Sequence, residues 1–452
     1  MSESKSELST SLFTFDSKPP LGKVAPISLQ HIMAMFLGTV TVPMIIANAS
    51  GAGHEEKQLM IQFALLMAAA ATLIQVFPIW KAGSRLPIVF SCGFTFVPTL
   101  AAIGAQYGLA AVFGAQLIGG LLTIILGLFI PRLRHYFPPV VTGTIILAIG
   151  LSLYPIAINY MAGGLGSPTF GNLQNWAVAG ITLGAVLYVN FFVKGYLRLA
   201  SMLVGMGIGY VVALVLGMVS FADIGPADWL AVPVPLKFGL SFEISAIISM
   251  ALITVVNVMQ AVGDMSGAAV GGLDREPEGT ELSHGVIGLG LVTTLGALFG
   301  APAASSYSQN VGIVSMTKIV SRRVFGFAAI LMLFFGLFPK FSALLSTLPP
   351  AVLGGGTVVV FGMITLTGIK LIIKEELTAR NCTIVGLSIA LGIGAAMAPD
   401  ALKGFPPSMI PILKEPIVVS GFTAFFLNLI CPQKTAEEEA EERLALEETT
   451  RP

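Results

Sequence analysis

Charged residues are scarce in this sequence, since Asp, Glu, Lys and Arg together make up only 11% of its 452 residues. Soluble globular proteins contain about 25%. Hydrophobic residues make up 55%, and the mean hydropathy is +0.87. This composition excludes an ordinary soluble domain and predicts a polytopic membrane protein surrounded by lipid. Because the net charge is zero, the sequence gives no indication of a nucleic-acid partner.

Cysteine and recognisable catalytic motifs are also scarce. The three cysteines, Cys92, Cys382 and Cys431, lie in or beside apolar segments, with neither a metal-type spacing nor an evident disulfide framework. The sequence lacks a Walker A motif, so ATP-driven transport is unsupported. It also lacks a nucleophile–base constellation. The first 25 residues are polar and contain no signal-peptide core. We therefore expect no enzyme activity, no cofactor and no metal site.

Long apolar segments are abundant. A membrane-spanning helix needs about 20 mostly apolar residues, and the sequence predicts fourteen spans. Their ranges are 28–48, 58–80, 86–104, 108–130, 138–160, 174–194, 198–220, 241–268, 284–300, 304–320, 323–338, 350–373, 381–398 and 408–431.

The third and tenth of these segments are interrupted. Pro87, Gly93 and Pro98 fall within the third, and a polar cluster falls within the tenth. Each segment is third in its half of a seven-plus-seven division, which predicts two halves of opposite topology. Paired interrupted segments of this kind indicate the binding site of a transporter.

Basic residues are distributed unevenly between the two sides of the membrane. With fourteen spans, most of the 24 Lys and Arg residues fall on the side that holds both termini. The positive-inside rule therefore predicts that both termini are cytoplasmic in a cell membrane. Residues 1–25 and the charged residues 433–452 are predicted to be tails.

The polar cluster of the tenth segment consists of six consecutive residues, 305–310, with sequence SSYSQN. An unsatisfied polar group in an apolar medium costs roughly 2–7 kcal/mol. Such a cluster must therefore be buried in protein or face a water-filled cavity. It predicts a substrate pocket that includes Ser308, Gln309 and Asn310. The alternative is a polar loop between two helices.

Three further positions are candidates for chemistry. Asp264 follows Gln260 by four residues and Asn257 by seven, so the three share one helix face. Asp264 acts either in transport or as a structural link between helices. For Gln260 we favour a functional role. His31 opens the first span and is either a proton relay or, as we favour, a structural residue that organises the pocket.

The third segment offers a complementary surface. A break at Gly93 would expose backbone N–H and C=O groups to a planar polar ligand, and Phe94 could stack on its ring. The alternative is an ordinary helix that contains a glycine.

These motifs resemble one family. Residues 309–322, QNVGIVSMTKIVSR, match the Gln-Asn-x-Gly-x-x-x-x-Thr signature of the nucleobase–ascorbate transporters, also called nucleobase–cation symporter-2. Residues 30–31 (QH), 91–96 (SCGFTF) and 260–264 (QAVGD) resemble the family's first, third and eighth spans. The resemblance covers roughly residues 20–432.

The resemblance implies fourteen spans in a seven-plus-seven inverted repeat, with a short extended strand in segments 3 and 10. It implies a core domain of residues 26–135 and 236–340, and a gate domain of residues 136–235 and 341–432. Transport would follow an elevator-type movement of core against gate, in a homodimer formed through the gate domain.

The resemblance also implies a function and a set of binding residues. Members of the family import nucleobases with protons, and Gln at position 309 favours xanthine or uric acid. Gln309 would bind the base, Asn310 would shape the site and Phe94 would contact the ring, with Gly93 and Ser308 beside them. The alternatives are a carrier of uracil or another nucleobase, an uncoupled facilitator, and a sulfate-type anion transporter.

The sequence departs from the family pattern at three positions. Gln260 stands where a glutamate is usual, Leu289 where an acid is frequent, and Gly93 where a polar residue is usual. Glutamine can hydrogen-bond a base but cannot titrate. Proton coupling must therefore pass through Asp264 or His31, or be absent.

Overall fold

The computed structural model describes residues 12–133, 137–194, 198, 200–222, 224–226, 228–230, 234–406, 409–432 and 437–438. Residues 1–11 of the predicted N-terminal tail, and all of the predicted C-terminal tail except 437–438, lie outside the described residues.

The described chain is mainly helical. In chain order its elements are α1 Leu21–Ala49, α2 His54–Val76, β1 Phe90–Cys92, α3 Val97–Tyr107, α4 Leu109–Leu128, α5 Ile130–Leu133, α6 Pro139–Met161, α7 Leu173–Phe192, α8 Ser201–Val215, α9 Ile244–Leu273, α10 Gly279–Phe299, β2 Ala304–Ser306, α11 Ser308–Thr317, α12 Arg322–Leu337, α13 Pro339–Ser346, α14 Pro350–Ile372, α15 Ala379–Met397, α16 Ile410–Leu413 and α17 Pro416–Ile430. Two 3₁₀ turns cover Phe94–Phe96 and Pro399–Leu402.

Nine helices among the described residues are long and apolar enough to cross a membrane. The number becomes ten if α12 and α13, which meet at an angle of 83°, form one bent span. Helices α8 and α17 are apolar but shorter. The third and tenth predicted segments each consist of a strand and a short helix, α3 or α11, and neither helix is long enough to span alone. The count of fourteen spans stays a prediction.

The chain divides into two compact units. The first comprises Met1–Pro131 and Pro155–Val360, and the second comprises Arg132–Tyr154 and Phe361–Pro452. The boundaries fall inside α6 and α14, so each of these helices contributes to both units. The core and gate boundaries inferred from the family resemblance stay a prediction.

Small residues allow close helix packing in the first unit. A Cβ at Gly290 of α10 would lie 2.6 Å from the Ile124 nitrogen of α4, and a Cβ at Gly336 of α12 would lie 3.0 Å from the Leu66 nitrogen of α2. Small residues at such crossings let helix backbones approach in an apolar solvent, where the hydrophobic effect gives little drive for helix association.

Glycine also allows close helix packing in the second unit. A Cβ at Gly143 of α6 would lie 2.8 Å from the Ile372 nitrogen of α14. Farther along these helices, the Tyr154 hydroxyl donates a hydrogen bond to Thr365 Oγ1 at 2.7 Å. Arg380 of α15 donates to the Asn428 carbonyl of α17 at 2.8 Å.

The two strands of the first unit position the candidate site. β1 and β2 pair antiparallel, with Phe90 opposite Ser306, Ser91 opposite Ser305, and Cys92 opposite Ala304. The ladder continues at both ends, where the Gly93 N–H donates to the Ala303 carbonyl and the Tyr307 N–H to the Val89 carbonyl. A side chain at Gly93 would clash with Ser305. The glycine therefore permits the close approach of the two interrupted segments.

Candidate functional site

One face of α9 links both interrupted segments through hydrogen bonds. The Thr95 hydroxyl donates to Gln260 Oε1 at 2.6 Å. Ser306 donates to Asp264 Oδ2 at 2.5 Å, and Ser308 donates to both Asp264 oxygens, at 2.8 and 3.0 Å. The carboxylate is therefore held by two hydroxyls.

Gln309 directly follows Ser308 in α11 and is half-buried. Within the part of the chain that the structure describes, its side chain has no hydrogen-bond partner, in contrast to Gln260. An amide has two donors and an acceptor. The Gln309 amide, on the residue after Ser308, is therefore available to a ligand.

Phe94 lies at the start of the 3₁₀ turn and is 7% exposed. It packs near α1, where a Cβ at Gly38 would lie 3.0 Å from Phe94 Cε2 and would clash with the Tyr307 hydroxyl. That hydroxyl donates to the Cys92 carbonyl at 2.8 Å. The aromatic ring is thus fixed next to Thr95, on the β1 side of the network.

Asn310 and His31 contact each other, separately from the hydrogen bonds around Asp264. Asn310 Nδ2 donates to the His31 backbone carbonyl at 3.2 Å. The His31 imidazole is completely buried and packs against Phe325, with ring centroids 4.7 Å apart. Among the described residues neither ring nitrogen has a hydrogen-bond partner. The pair joins α1, α11 and α12 and makes no hydrogen bond to Asp264 there.

The predicted site residues thus fall into two sets. Gly93, Phe94, Gln260, Asp264, Ser308 and Gln309 lie at or next to the contacts between α9 and the two interrupted segments, and Asn310 and His31 form the second set. Asn257, which shares a helix face with Asp264, donates to the Ala304 carbonyl at 3.1 Å and so supports β2.

Two residues of the network were not among the predicted binding residues. Thr95 was not selected, although it follows Phe94 directly. Ser306 was recognised only as part of the polar cluster. The position of the Thr95 hydroxyl next to the predicted break at Gly93 could have indicated a role in the site. Nothing in the sequence pairs Thr95 with Gln260, which is 165 residues away.

A polar network that joins two broken segments inside a bundle of apolar helices is the arrangement of a membrane transport protein. Residues 22–401 match the model described as the permease family. The chain therefore belongs to this family, the nucleobase–ascorbate transporters, as the sequence motifs indicated. It is a multi-pass membrane permease and not an enzyme.

Two relatives have high coverage. The chain is 36% identical over 412 residues to a xanthine permease of Bacillus subtilis (strain 168), with 90% of this chain and 94% of the relative covered. It is 34% identical over 415 residues to the uric acid permease PucJ of the same organism, with 90% and 92% covered.

A solved structure shows the same fold. The transmembrane domain of a cyanobacterium bicarbonate transporter, BicA, matches with a TM-score of 0.56 at 16% identity, covering 88% of this chain and 97% of that chain. At this identity the likeness concerns the fold alone. It supports the helical transporter architecture.

Proposed function

We propose that the protein is a secondary-active transporter that imports a purine nucleobase, xanthine or uric acid. The observation that carries the proposal is the unpaired amide of Gln309, the residue after Ser308, where the Thr95–Gln260 and Ser308–Asp264 hydrogen bonds join the two interrupted segments to α9. The relatives named xanthine permease and uric acid permease support this substrate class.

The proposed binding mode follows from the chemistry of the side chains. A purine is planar, with polar groups along its edges. The Gln309 amide pairs with one edge, the Gln260 side chain contacts another, and Phe94 packs on the ring face. Gly93 and Ser308 complete the site, since Gly93 keeps the strands close and Ser308 ties the start of α11, directly before Gln309, to Asp264. Asn310 shapes the site indirectly through its bond to the His31 carbonyl.

Proton coupling is assigned to Asp264. Asp264 can bind and release a proton, whereas the Gln260 amide does not titrate. His31 is the alternative, and an uncoupled facilitator is the outcome if neither residue transfers protons.

The proposed transport cycle is an elevator movement of the core, residues 26–135 and 236–340, against the gate, residues 136–235 and 341–432. Fourteen spans with both termini in the cytoplasm and a homodimer formed through the gate belong to the same proposal. They rest on the basic-residue asymmetry and on the family membership.

Uptake of radiolabelled xanthine, urate, uracil and sulfate by cells that express the protein tests the proposal. Cells with the empty vector give the background for each solute. The proposal expects saturable uptake of xanthine or urate. Saturable uptake of uracil or sulfate alone would contradict it and would favour a pyrimidine carrier or an anion transporter.

A further inference from the structure

A large polar cavity lies in the first unit, at the end where α1 finishes and α2 begins. Its volume is about 1130 Å³, and its wall is formed by the ends of α1, α2, α6 and α8, the loop between α6 and α7, and the junction of α13 with α14. Ligand pockets commonly measure about 300–1,000 Å³. Because α1 starts on the predicted cytoplasmic side, the cavity lies on the predicted outer face. Phe94, Gln260 and Gln309 are not among the described residues that line it, so it is separate from the candidate site.

Hydrogen bonds hold the wall of this cavity in place. Asn175, at the start of α7, is buried, and its Nδ2 donates to the Ala162 carbonyl at 3.0 Å and to the Thr169 carbonyl at 2.7 Å. One amide therefore ties together the loop that follows α6. Asn48 Nδ2 donates to the Tyr160 hydroxyl at 2.8 Å, which joins α1 to α6 beside the cavity. The wall is thus an ordered surface of peptide and amide groups.

The cavity carries positive charge. The described residues that line it include two basic side chains, Lys57 and His54, and no Asp or Glu. Lys57 is half-buried, and its ammonium group makes no hydrogen bond or ion pair within the part of the chain that the structure describes. A charge that is removed from water is favourable only when a partner replaces the lost hydration. An anion in the cavity would be such a partner.

The acidic residues next to Lys57 in the chain are engaged elsewhere. Glu55 pairs with Lys237, with Oε1 and Nζ 3.2 Å apart. Glu56 accepts a hydrogen bond from the Gly53 N–H at 2.8 Å, and neither glutamate is among the described residues that line the cavity. The Lys57 charge is therefore not balanced within the cavity wall. A cleft that carries charge of one sign raises the local concentration of its counter-ion.

We propose that this cavity is an outer binding site for an anionic oxopurine, with Lys57 as the counter-charge, which captures the substrate before it reaches the candidate site. The inference rests on the proposed purine transport. Uric acid is a monoanion at neutral pH, so urate supplies the negative charge that the cavity wall lacks. The Asn159 amide lies in the same wall, is half-buried and has no partner among the described residues. It can hydrogen-bond the oxo and N–H groups at the purine edge.

The charge of the purine decides how strongly Lys57 acts on it. At slightly acidic pH urate is still a monoanion, whereas xanthine is mainly neutral. Contact between two opposite unit charges in a hydrated cavity corresponds to about fivefold in binding. Salt screens a contact of this kind. Lys57 should therefore increase the capture of urate about fivefold and leave the capture of xanthine unchanged.

Uptake at low substrate concentration tests the inference. The measured quantity is kcat/KM for radiolabelled urate and xanthine, normalised to the protein in the membrane, in cells at slightly acidic pH and low ionic strength. Lys57→Gln should lower the value for urate about fivefold. Lys57→Glu should lower it further, and Lys57→Arg should retain it. The value for xanthine should stay the same in all three variants.

Two controls separate the cavity from general effects of charge and folding. Lys403→Gln removes a lysine from the same predicted face; Lys403 is exposed, pairs with Asp400 at 2.9 Å and is not among the described residues that line the cavity. This variant should transport both substrates normally. In the natural protein, replacing sucrose with choline chloride should lower kcat/KM for urate and not for xanthine. The salt effect should be absent in Lys57→Gln.

The outcomes separate the inference from the function on which it rests. Equal losses for urate and xanthine in Lys57→Gln, or no loss for either, overturn the inference and leave the transport function in place. Uptake of xanthine without uptake of urate does the same. If Lys57→Gln does not reach the membrane, the salt dependence of the natural protein decides, and an equal response of both substrates overturns the inference. If the natural protein takes up neither oxopurine, the proposed function fails, and this inference fails with it.

Discussion

The Ser308 hydroxyl donates to both carboxylate oxygens of Asp264, at 2.8 and 3.0 Å. This contact joins α9 to the first residue of α11, immediately before Gln309. The position of the unpaired amide in the proposed site is therefore tied to a carboxylate on another helix. A disturbance at Ser308 should reach the substrate through Gln309.

Ser308→Ala should weaken substrate binding without preventing folding. Ser306 still donates to Asp264 in this variant, so the carboxylate keeps a partner. A lost hydrogen bond to a charged group costs about 1.5–3 kcal/mol, and we expect a rise in KM of severalfold to a hundredfold. Ser315→Ala is the control, because the hydrogen bond that Ser315 makes among the described residues is to the Val311 carbonyl of its own helix. Equal effects of the two substitutions on KM would contradict the role of Ser308.

Gly93→Ala should abolish uptake, because the new methyl group would clash with Ser305 across the strand pair. Overpacking of this kind costs about 1–3 kcal/mol. Ser305→Gly should partly rescue the variant, since it removes the opposing side chain. Gly386→Ala, where an added Cβ meets nothing within 4 Å, is the control. Full uptake by Gly93→Ala at normal membrane abundance would show that the close approach is not required.

Much of this site was predictable from local sequence. Pro87, Gly93 and Pro98 disfavour a continuous helix, and six polar residues in a row cannot face lipid. These features predicted where segments 3 and 10 are interrupted, and β1 and β2 lie at those places. The spacing of Gln260 and Asp264 likewise predicted a shared helix face. The alternative of an ordinary helix through Gly93 is wrong, because strand β1 precedes it and Gly93 itself has extended backbone before the 3₁₀ turn begins at Phe94.

The partners within the site were not predictable in the same way. The Thr95–Gln260 and Ser308–Asp264 bonds join residues 165 and 44 positions apart, and they depend on how three elements pack. Sequence periodicity assigns a residue to a face and does not identify the side chain opposite. For the same reason, the sequence did not distinguish the engaged amide of Gln260 from the unpaired amide of Gln309.

Asn310→Ala should affect stability more than substrate recognition. The Asn310 amide supports the His31 carbonyl from a buried position, and loss of a buried hydrogen bond costs about 1–3 kcal/mol. We expect a lower thermal midpoint in detergent, with the ratio of xanthine to urate affinity unchanged in the protein that remains folded. A changed ratio at an unchanged midpoint would instead place Asn310 in direct contact with the base.

Asp264→Asn should abolish accumulation against a gradient while some substrate exchange remains. The carboxamide is similar in shape but cannot exchange a proton. Uptake and counterflow in proteoliposomes, with and without an imposed pH gradient, separate the two activities. Accumulation by Asp264→Asn in response to the gradient would remove Asp264 from coupling. If the natural protein itself only equilibrates substrate, transport is uncoupled.

Gln260→Glu should retain or strengthen the pH dependence of uptake, because it restores a titratable group to the network. The measurement is initial uptake over a range of external pH, with the natural protein in parallel. Gln260→Asn is the control for altered packing, since it changes side-chain length without adding a titratable group. A weaker pH dependence in Gln260→Glu than in the natural protein would contradict the expectation.

The most direct test of the central claim is xanthine and urate uptake by purified protein in proteoliposomes, compared between the natural protein and Gln309→Ala. The Gln309 side chain makes no hydrogen bond within the described structure, so its removal should leave the thermal midpoint unchanged. Two lost hydrogen bonds to the base, about 2–6 kcal/mol together, should lower affinity at least about thirtyfold. Unchanged affinity in correctly inserted Gln309→Ala would exclude Gln309 from the binding site and contradict the account.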